Sequence, residues 1–322
     1  MRIVMMGTGT FAEPTFQKLV DSGCNVVGLV TQPEKTIGKE KASTRLAGMG
    51  MAQIAFKNKI PAQSPQSINS PEGISLLKAW NPELLVVAAY GQILSREVLE
   101  IPTLGGINVH ASLLPRFRGA APVQWAIASG DTETGVSILR MTPLLDGGDL
   151  LAVQKVPIDE YETAGELEAR LAPIGASLAV EVIKNLEKGP LTGIPQDHSK
   201  VSKAPKLKKE NGDIDWTKSA REVCCQIRAM HPWPTAYTHW KREGTPPLRL
   251  VVYNAKIGKA STNLTPGSVL MPAKDAQTMV IAVGNGETVD LTEVQPAGKN
   301  RMNALDFLRG RRPQEGDFLG KA

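Results

Sequence analysis

Gly106-Ile107-Asn108-Val109-His110-Ala111-Ser112-Leu113-Leu114-Pro115-Arg116-Phe117-Arg118-Gly119 is the stretch from which the fold is read. An apolar run carrying Asn108 and His110 two residues apart reads as a strand, and on a strand both side chains leave the same face. The small residues that follow, and then Pro115, stop the strand and leave backbone N–H groups at its carboxyl end. That edge is where open α/β sheets take their ligands. An amide donor beside an imidazole suits acyl transfer onto an amine: Asn108 donates to a developing oxyanion, and His110 exchanges a proton near neutral pH. A single His in an apolar run is also the pattern of a hydrogen-bonded core residue, so its neighbours decide. They are Asn108 on the same face and the polar cluster Leu144-Leu145-Asp146-Gly147-Gly148-Asp149. An Asp among glycines is an ordinary turn residue. In a loop after the next strand, however, Asp146 reaches the same sheet edge and orients the imidazole.

Outward from this stretch, short apolar runs at 3–6, 26–31, 84–89, 107–110, 136–141 and 150–156 alternate with helical patterns. This spacing predicts an α/β domain with a Rossmann-like parallel sheet wrapped by helices. One helix follows Pro122 through Ile127. Another opens at Thr163-Ala164-Gly165-Glu166, a capping box, and runs to Lys188, where Gly189 and Pro190 end it. Residues 190–212 lack periodicity and are rich in Lys, Ser and Pro, the composition of a connector. Beyond them come one helix at 220–230 and short β-rich pieces at 248–253, 267–270, 278–283 and 288–294, which predict a small OB-like β-barrel. The expected domains are therefore 1–189, a linker 190–212, and 213–322.

The 322 residues carry 37 Lys+Arg and 32 Asp+Glu, unevenly placed. Residues 1–199 hold 17 basic and 20 acidic side chains, residues 200–322 hold 20 and 12, so the basic excess lies wholly in the second part. That asymmetry favours a polyanionic partner for the C-terminal domain. Three cysteines, Cys24, Cys224 and Cys225, make neither a disulfide framework nor a metal-ligand spacing and fit a reduced compartment. A strand pattern starting at Arg2 leaves no room for a leader peptide, and no apolar run approaches the roughly 20 residues of a membrane span. A cytoplasmic monomer with no metal and no membrane attachment is expected. Gly7-Thr8-Gly9-Thr10-Phe11-Ala12 satisfies the G-x-G-x-x-A turn of dinucleotide-binding folds. Thr31 and Gln32 stand where the ribose-binding acid belongs, so the glycines read as a tight strand-to-helix turn.

Asn108-Val109-His110, Ser112-Leu113-Leu114-Pro115-Arg116-Phe117-Arg118-Gly119-Ala120-Ala121-Pro122 and Leu145-Asp146-Gly147-Gly148-Asp149 together resemble the folate-dependent formyltransferases. The resemblance extends through Thr31-Gln32-Pro33, Val87-Ala88-Ala89-Tyr90-Gly91, Ile214-Asp215-Trp216, His231-Pro232-Trp233-Pro234 and Gln295-Pro296-Ala297-Gly298-Lys299, so it spans nearly the whole chain. The last three motifs lie in the C-terminal part, which the one-domain members lack. The resemblance implies transfer of formyl from 10-formyltetrahydrofolate, released as tetrahydrofolate, to the α-amine of initiator methionyl-tRNA. It implies Asn108 polarising the formyl oxygen, His110 taking the amine proton and Asp146 ordering that exchange. Ser112, Leu113, Leu114 and Pro115 would form the folate turn with Tyr90 and Gly91 beside it. Lys35, Lys39, Lys41, Arg45, Lys206, Lys208 and Lys209 would meet tRNA. Lys39 stands where the family carries Arg, Glu40 where it carries Gly, and Gly9 where it carries Pro. A sugar-nucleotide N-formyltransferase or a 10-formyltetrahydrofolate hydrolase domain would share the Asn, His and Asp set, but the basic second domain argues against both. A tRNA-binding protein without catalysis would keep the charge and lose the triad.

Overall fold

The computed structural model describes residues 1–33, 42–273 and 275–321, the side chains of 42–49 excepted. In chain order the elements of the first half are β1 (Arg2–Gly7), α1 (Ala12–Asp21), β2 (Asn25–Val30), α2 (Ala42–Lys57), β3 (Ala62–Gln63), α3 (Pro71–Trp80), β4 (Leu84–Ala88), α4 (Arg96–Leu99), β5 (Gly106–His110), β6 (Arg118–Gly119), α5 (Pro122–Ala128), β7 (Glu133–Arg140) and β8 (Leu150–Pro157). They are followed by α6 (Ala164–Lys188), β9 (Lys203–Ala204), α7 (Ala220–Ala229), β10 (Ala236–Lys241), β11 (Leu248–Ile257), β12 (Met279–Ala282), β13 (Thr288–Pro296), β14 (Met302–Asn303), α8 (Ala304–Arg311) and β15 (Phe318–Gly320). The chain divides into two compact units: 1–122, 133–157 and 167–206 form the first; 123–132, 158–166 and 207–322 form the second.

The first unit is built on a seven-stranded sheet in the order β3-β2-β1-β4-β5-β7-β8. β1 and β4 are buried along almost their whole length, as continuous apolar strands covered on both faces must be. β3, β2, β1, β4 and β5 run parallel, whereas β7 is antiparallel to both β5 and β8, so the expected parallel sheet is mixed at one side. The antiparallel pairing of β7 with β8 follows from their connection. Residues 141–149 form a short return, which joins antiparallel neighbours, while a parallel pair needs a full crossover. The box expected at the start of α6 is present: the Thr163 N–H donates to Glu166 Oε2 at 2.9 Å and the Glu166 N–H to Thr163 Oγ1 at 3.4 Å. α6 comes close to the sheet through Gly175, where a Cβ would stand 2.7 Å from Val109 Cγ1 and 3.2 Å from Val136 Cγ1. Any side chain at 175 would push the helix off β5, the strand carrying Asn108 and His110.

Residues 190–206 do more than connect. Ile194 exchanges backbone hydrogen bonds with Leu150, and β9 pairs in parallel with β6, so this aperiodic segment belongs to the first unit. The polar composition that reads as a linker reflects its exposure; its order comes from backbone pairing. In the core, Tyr90 packs among Val4, Met6, Val30, Ile68, Leu77, Leu85 and Val87. The residue is 2 % exposed, its hydroxyl has no hydrogen-bond partner among the described residues, and burial pushes its pKa up to about 12. Tyr90→Phe should therefore raise stability, by up to about 1 kcal/mol, because it removes a buried unsatisfied hydroxyl. Chemical denaturation checks this, and a loss of more than about 1 kcal/mol would show the hydroxyl to be paired.

In the second unit, β12-β13-β11-β10-β15 form an antiparallel sheet with β14 beside β13. The stretch 267–270, expected as a strand, makes only isolated bridges, Ser268 to Phe318 and Val269 to Ile281. These still join the two edges of the sheet, so the unit closes as a small antiparallel barrel. Gly267 takes φ +100 at this seam, which interrupts a regular strand. α7 opens with a Ser219/Glu222 capping box and buries Val223 and Ile227. On the same unit, His231 packs edge-on to Tyr253 at 5.6 Å, and the Arg301 guanidinium lies 3.9 Å over the Tyr253 ring. Burial lowers the His231 pKa below its ordinary 6.5, and Arg301 lowers it further. Below about pH 6.5 the unfolded chain then binds a proton that the folded one refuses, so this contribution to stability is present above pH 6.5 and is lost as pH falls through the lowered folded value. The thermal midpoint of His231→Gln should fall less steeply than that of the parent between about pH 6.5 and 5; equal slopes would refute the coupling.

Candidate functional site

β5 ends at His110 beside β4 and β7, and the three side chains singled out in the sequence meet there. Asn108 Nδ2 donates to Asp146 Oδ1 at 3.3 Å, and His110 Nδ1 stands 3.7 Å from Asp146 Oδ2. A carboxylate only accepts, so the amide nitrogen of Asn108 faces Asp146. One N–H of Asn108 is committed to Asp146, and the other makes no hydrogen bond among the described residues.

The imidazole is fixed from its other side. His110 Nε2 lies 3.0 Å from the Phe117 carbonyl oxygen, which can only accept, so the hydrogen of neutral His110 sits on Nε2 and the lone pair on Nδ1. Phe117 presents that carbonyl from a left-handed turn, φ +62, and its N–H donates to Ser202 Oγ at 2.9 Å. The basic nitrogen of His110 therefore faces the Asp146 carboxylate, which stabilises the imidazolium once Nδ1 has taken a proton.

Asp146 sits in the loop between β7 and β8 with φ +48, a conformation that Asp tolerates better than most side chains. Its Oδ2 also accepts the Gly119 N–H at 2.8 Å. Gly119 can stand there because it has φ +126 and no Cβ; a Cβ would lie 2.5 Å from the Ala204 carbonyl oxygen. Burial of the carboxylate and of His110, which is 5 % exposed, keeps water from screening the pair.

The turn 112–115 is held by its own bonds. Ser112 Oγ donates to the Arg116 carbonyl at 2.7 Å, and Ser137 Oγ donates to the Ser112 carbonyl at 2.7 Å while accepting the Leu114 N–H at 3.2 Å. Ser112 is fully buried and Leu114 nearly so, which leaves Leu113 and Pro115 as the half-exposed side chains of the turn. Tyr90 reaches this sheet edge by its main chain: the ring packs in the core, while the Tyr90 carbonyl accepts the Gln32 side chain at 2.9 Å. Gly91 follows with φ +82, exposed. The Gln32 N–H in turn donates to Thr8 Oγ1 at 3.0 Å, lacing together the carboxyl ends of β1, β2 and β4. Lys206, Lys208 and Lys209 are exposed, and Lys35, Lys39, Lys41 and the side chain of Arg45 lie outside the described residues. Sequence reasoning missed Ser137, Ser202, Gln32 and Gln196. Of these, only Gln32 stands inside a quoted motif; the rest carry no local signal. Among the described residues, no group of three or more His, Cys, Asp or Glu could hold a metal ion, and no helix is long and apolar enough to cross a membrane.

A mixed α/β sheet with an Asn-x-His strand end and a loop carboxylate, followed by an antiparallel barrel, matches the patterns of the formyl transferase at residues 1–183 and of the formyl transferase C-terminal domain at residues 206–312. The chain belongs to the formyl transferase family. A methionyl-tRNA formyltransferase of Bacillus velezensis is 40% identical over 321 residues, covering 100% of this chain and 98% of that protein. One from Rhodopirellula baltica is 41% identical over 331 residues, covering 99% and 96%. Among solved structures, the sugar 3N-formyl transferase WlaRD superposes with a TM-score of 0.66 at 15% identity over 93% of this chain and 99% of its own, a likeness of fold.

Proposed function

We propose that the chain transfers the formyl group of 10-formyltetrahydrofolate to the α-amino group of initiator methionyl-tRNA, and that Asn108, His110 and Asp146 carry the reaction. The observation behind the chemistry is the Asp146 carboxylate that takes the Asn108 amide on one oxygen and faces His110 Nδ1 with the other. The likeness over full length to methionyl-tRNA formyltransferases supports the acceptor. The folate supplies a formyl group already activated on N10. Asn108 turns its uncommitted N–H to the formyl oxygen and stabilises the charge that develops as the amine nitrogen bonds to the formyl carbon. His110 Nδ1 removes the proton that the amine sheds, and Asp146 Oδ2 stabilises the imidazolium. As the bond from carbon to N10 breaks, the same Nδ1–H is available to the departing nitrogen, so the proton ends on tetrahydrofolate. Leu113, Pro115 and the main chain at Tyr90 and Gly91 border the folate, and the buried Ser112 and Leu114 keep the turn in shape.

The deciding assay mixes the protein with 10-formyltetrahydrofolate and charged initiator tRNA and looks for formyl on the methionine. Formyl on a sugar nucleotide instead, or free formate alone, would overturn the acceptor. The exposed Lys206, Lys208 and Lys209 are assigned to tRNA phosphates, as are Lys35, Lys39, Lys41 and Arg45 from the sequence alone. Replacing the three by Ala should weaken tRNA binding and reduce the slope of log affinity against log salt by about 2 to 3. An unchanged slope in a binding titration at several salt concentrations would remove them from the interface. The reading puts the protein in the cytoplasm, acting as a monomer.

A further inference from the structure

Gln196 lies in the aperiodic stretch after α6, outside every motif quoted above, yet its side chain is 6 % exposed and every polar position on it is used. Its Oε1 accepts from Arg118 Nε at 3.2 Å and Nη2 at 2.7 Å, and its Nε2 donates to the Asp146 carbonyl at 2.8 Å and the Gly148 carbonyl at 2.7 Å. Arg118 has no acceptor, so it fixes which end of the carboxamide faces it and turns both N–H groups onto the loop. Arg118 is itself 9 % exposed and precedes Gly119, whose N–H holds Asp146 Oδ2. β6 therefore grips Asp146 twice: through Gly119 on the carboxylate, and through Arg118 and Gln196 on the backbone. Without the second grip, the backbone of a residue held at φ +48 and followed by two glycines is tied only through its own carboxylate, to Gly119 and Asn108.

We propose that Gln196 is a positioning residue of the reaction, its Arg118-clamped carboxamide holding the backbone of Asp146 and Gly148 so that the Asp146 carboxylate meets Asn108 and His110. This rests on the role given to Asp146 above.

The variant that separates positioning from bulk stability is Gln196→Glu, which keeps an acceptor for Arg118 and loses both donors to the loop. Gln196→Met, similar in length without polar atoms, is the second. Formyl transfer by the parent chain is measured first; its absence would overturn the functional reading and this inference with it. With an active parent, kcat of Gln196→Glu should fall about 10- to 100-fold while KM for both substrates stays within about 3-fold, because binding surfaces are intact and only the alignment of the reacting groups is lost. In the Asp146→Asn background the same change should cost less than about 2-fold, because the group it positions is already gone. The inference alone is overturned if the parent is active and kcat of Gln196→Glu stays within about 2-fold, or KM rises at constant kcat, or the losses multiply in the double variant. Failure of both variants to fold would also overturn it, making Gln196 a structural residue.

Discussion

Asn108→Ala is expected to lower kcat by about 10²- to 10³-fold, the cost of removing one donor aimed at a developing oxyanion. The protein should stay folded, because Asn108 is only half-buried and among the described residues donates a single long hydrogen bond, 3.3 Å to Asp146 Oδ1. KM for the folate and for the charged tRNA should change little, since the lost N–H acts on charge that exists only during the reaction. Steady-state kinetics with each substrate varied in turn, beside a thermal melt of the same preparation, reads all three quantities. Retention of more than about a tenth of the parent kcat would take the oxyanion role away from Asn108 and leave it as an orienting partner of Asp146.

This expectation stands on a geometry that was partly visible in the letters. Period two along a strand places Asn108 and His110 on one face whatever surrounds them, and β5 runs from Gly106 to His110 as that requires. The strands at 3–6 and 84–89 correspond within a residue or so to Arg2–Gly7 and Leu84–Ala88, because continuous apolar runs between polar breaks have few alternatives in a covered sheet, and the run at 150–156 matches the half-exposed edge strand Leu150–Pro157. The Asp146 loop was placed at the same edge from its position after a strand, and the structure puts it there. The rest depends on partners that no local window contains. Gln196 meets Arg118 78 residues away and Asp146 50 residues away, and an isolated amide in a Lys- and Pro-rich stretch gives no sign of either. β10 was not anticipated, because Ala-Tyr-Thr-His-Trp-Lys hides an alternation of buried and half-buried residues behind polar side chains. The Tyr90 ring could not be placed either: a left-handed turn at Ala89, φ +46, sets which way it leaves the chain end of β4.

Asp146→Asn keeps the size of the side chain and changes only what its two terminal atoms can do, yet it should lower kcat by about 10²- to 10⁴-fold, the span of positioned proton transfer. The carboxylate has three neighbours. Asn108 Nδ2–H and the Gly119 N–H are donors that need an acceptor, and His110 Nδ1 needs a negative charge once it has taken the amine proton. An amide serves no arrangement of the three. With its oxygen at the Oδ2 position it still accepts from Gly119, but its NH2 then confronts the NH2 of Asn108, and that residue must turn over and carry its catalytic donor away. With its NH2 at the Oδ2 position it opposes the Gly119 N–H and donates to His110 Nδ1, blocking the lone pair that takes the proton. Either way the imidazolium loses its counter-charge in a site that excludes water. The loop itself should hold, because Gln196 bonds the Asp146 backbone, which the substitution does not touch. The measurement is single-turnover formyl transfer at saturating tRNA, with binding of each substrate followed separately. Loss of rate with binding retained is the expected result, and a variant within about tenfold of the parent would mean that His110 works without the carboxylate and that the triad is two residues.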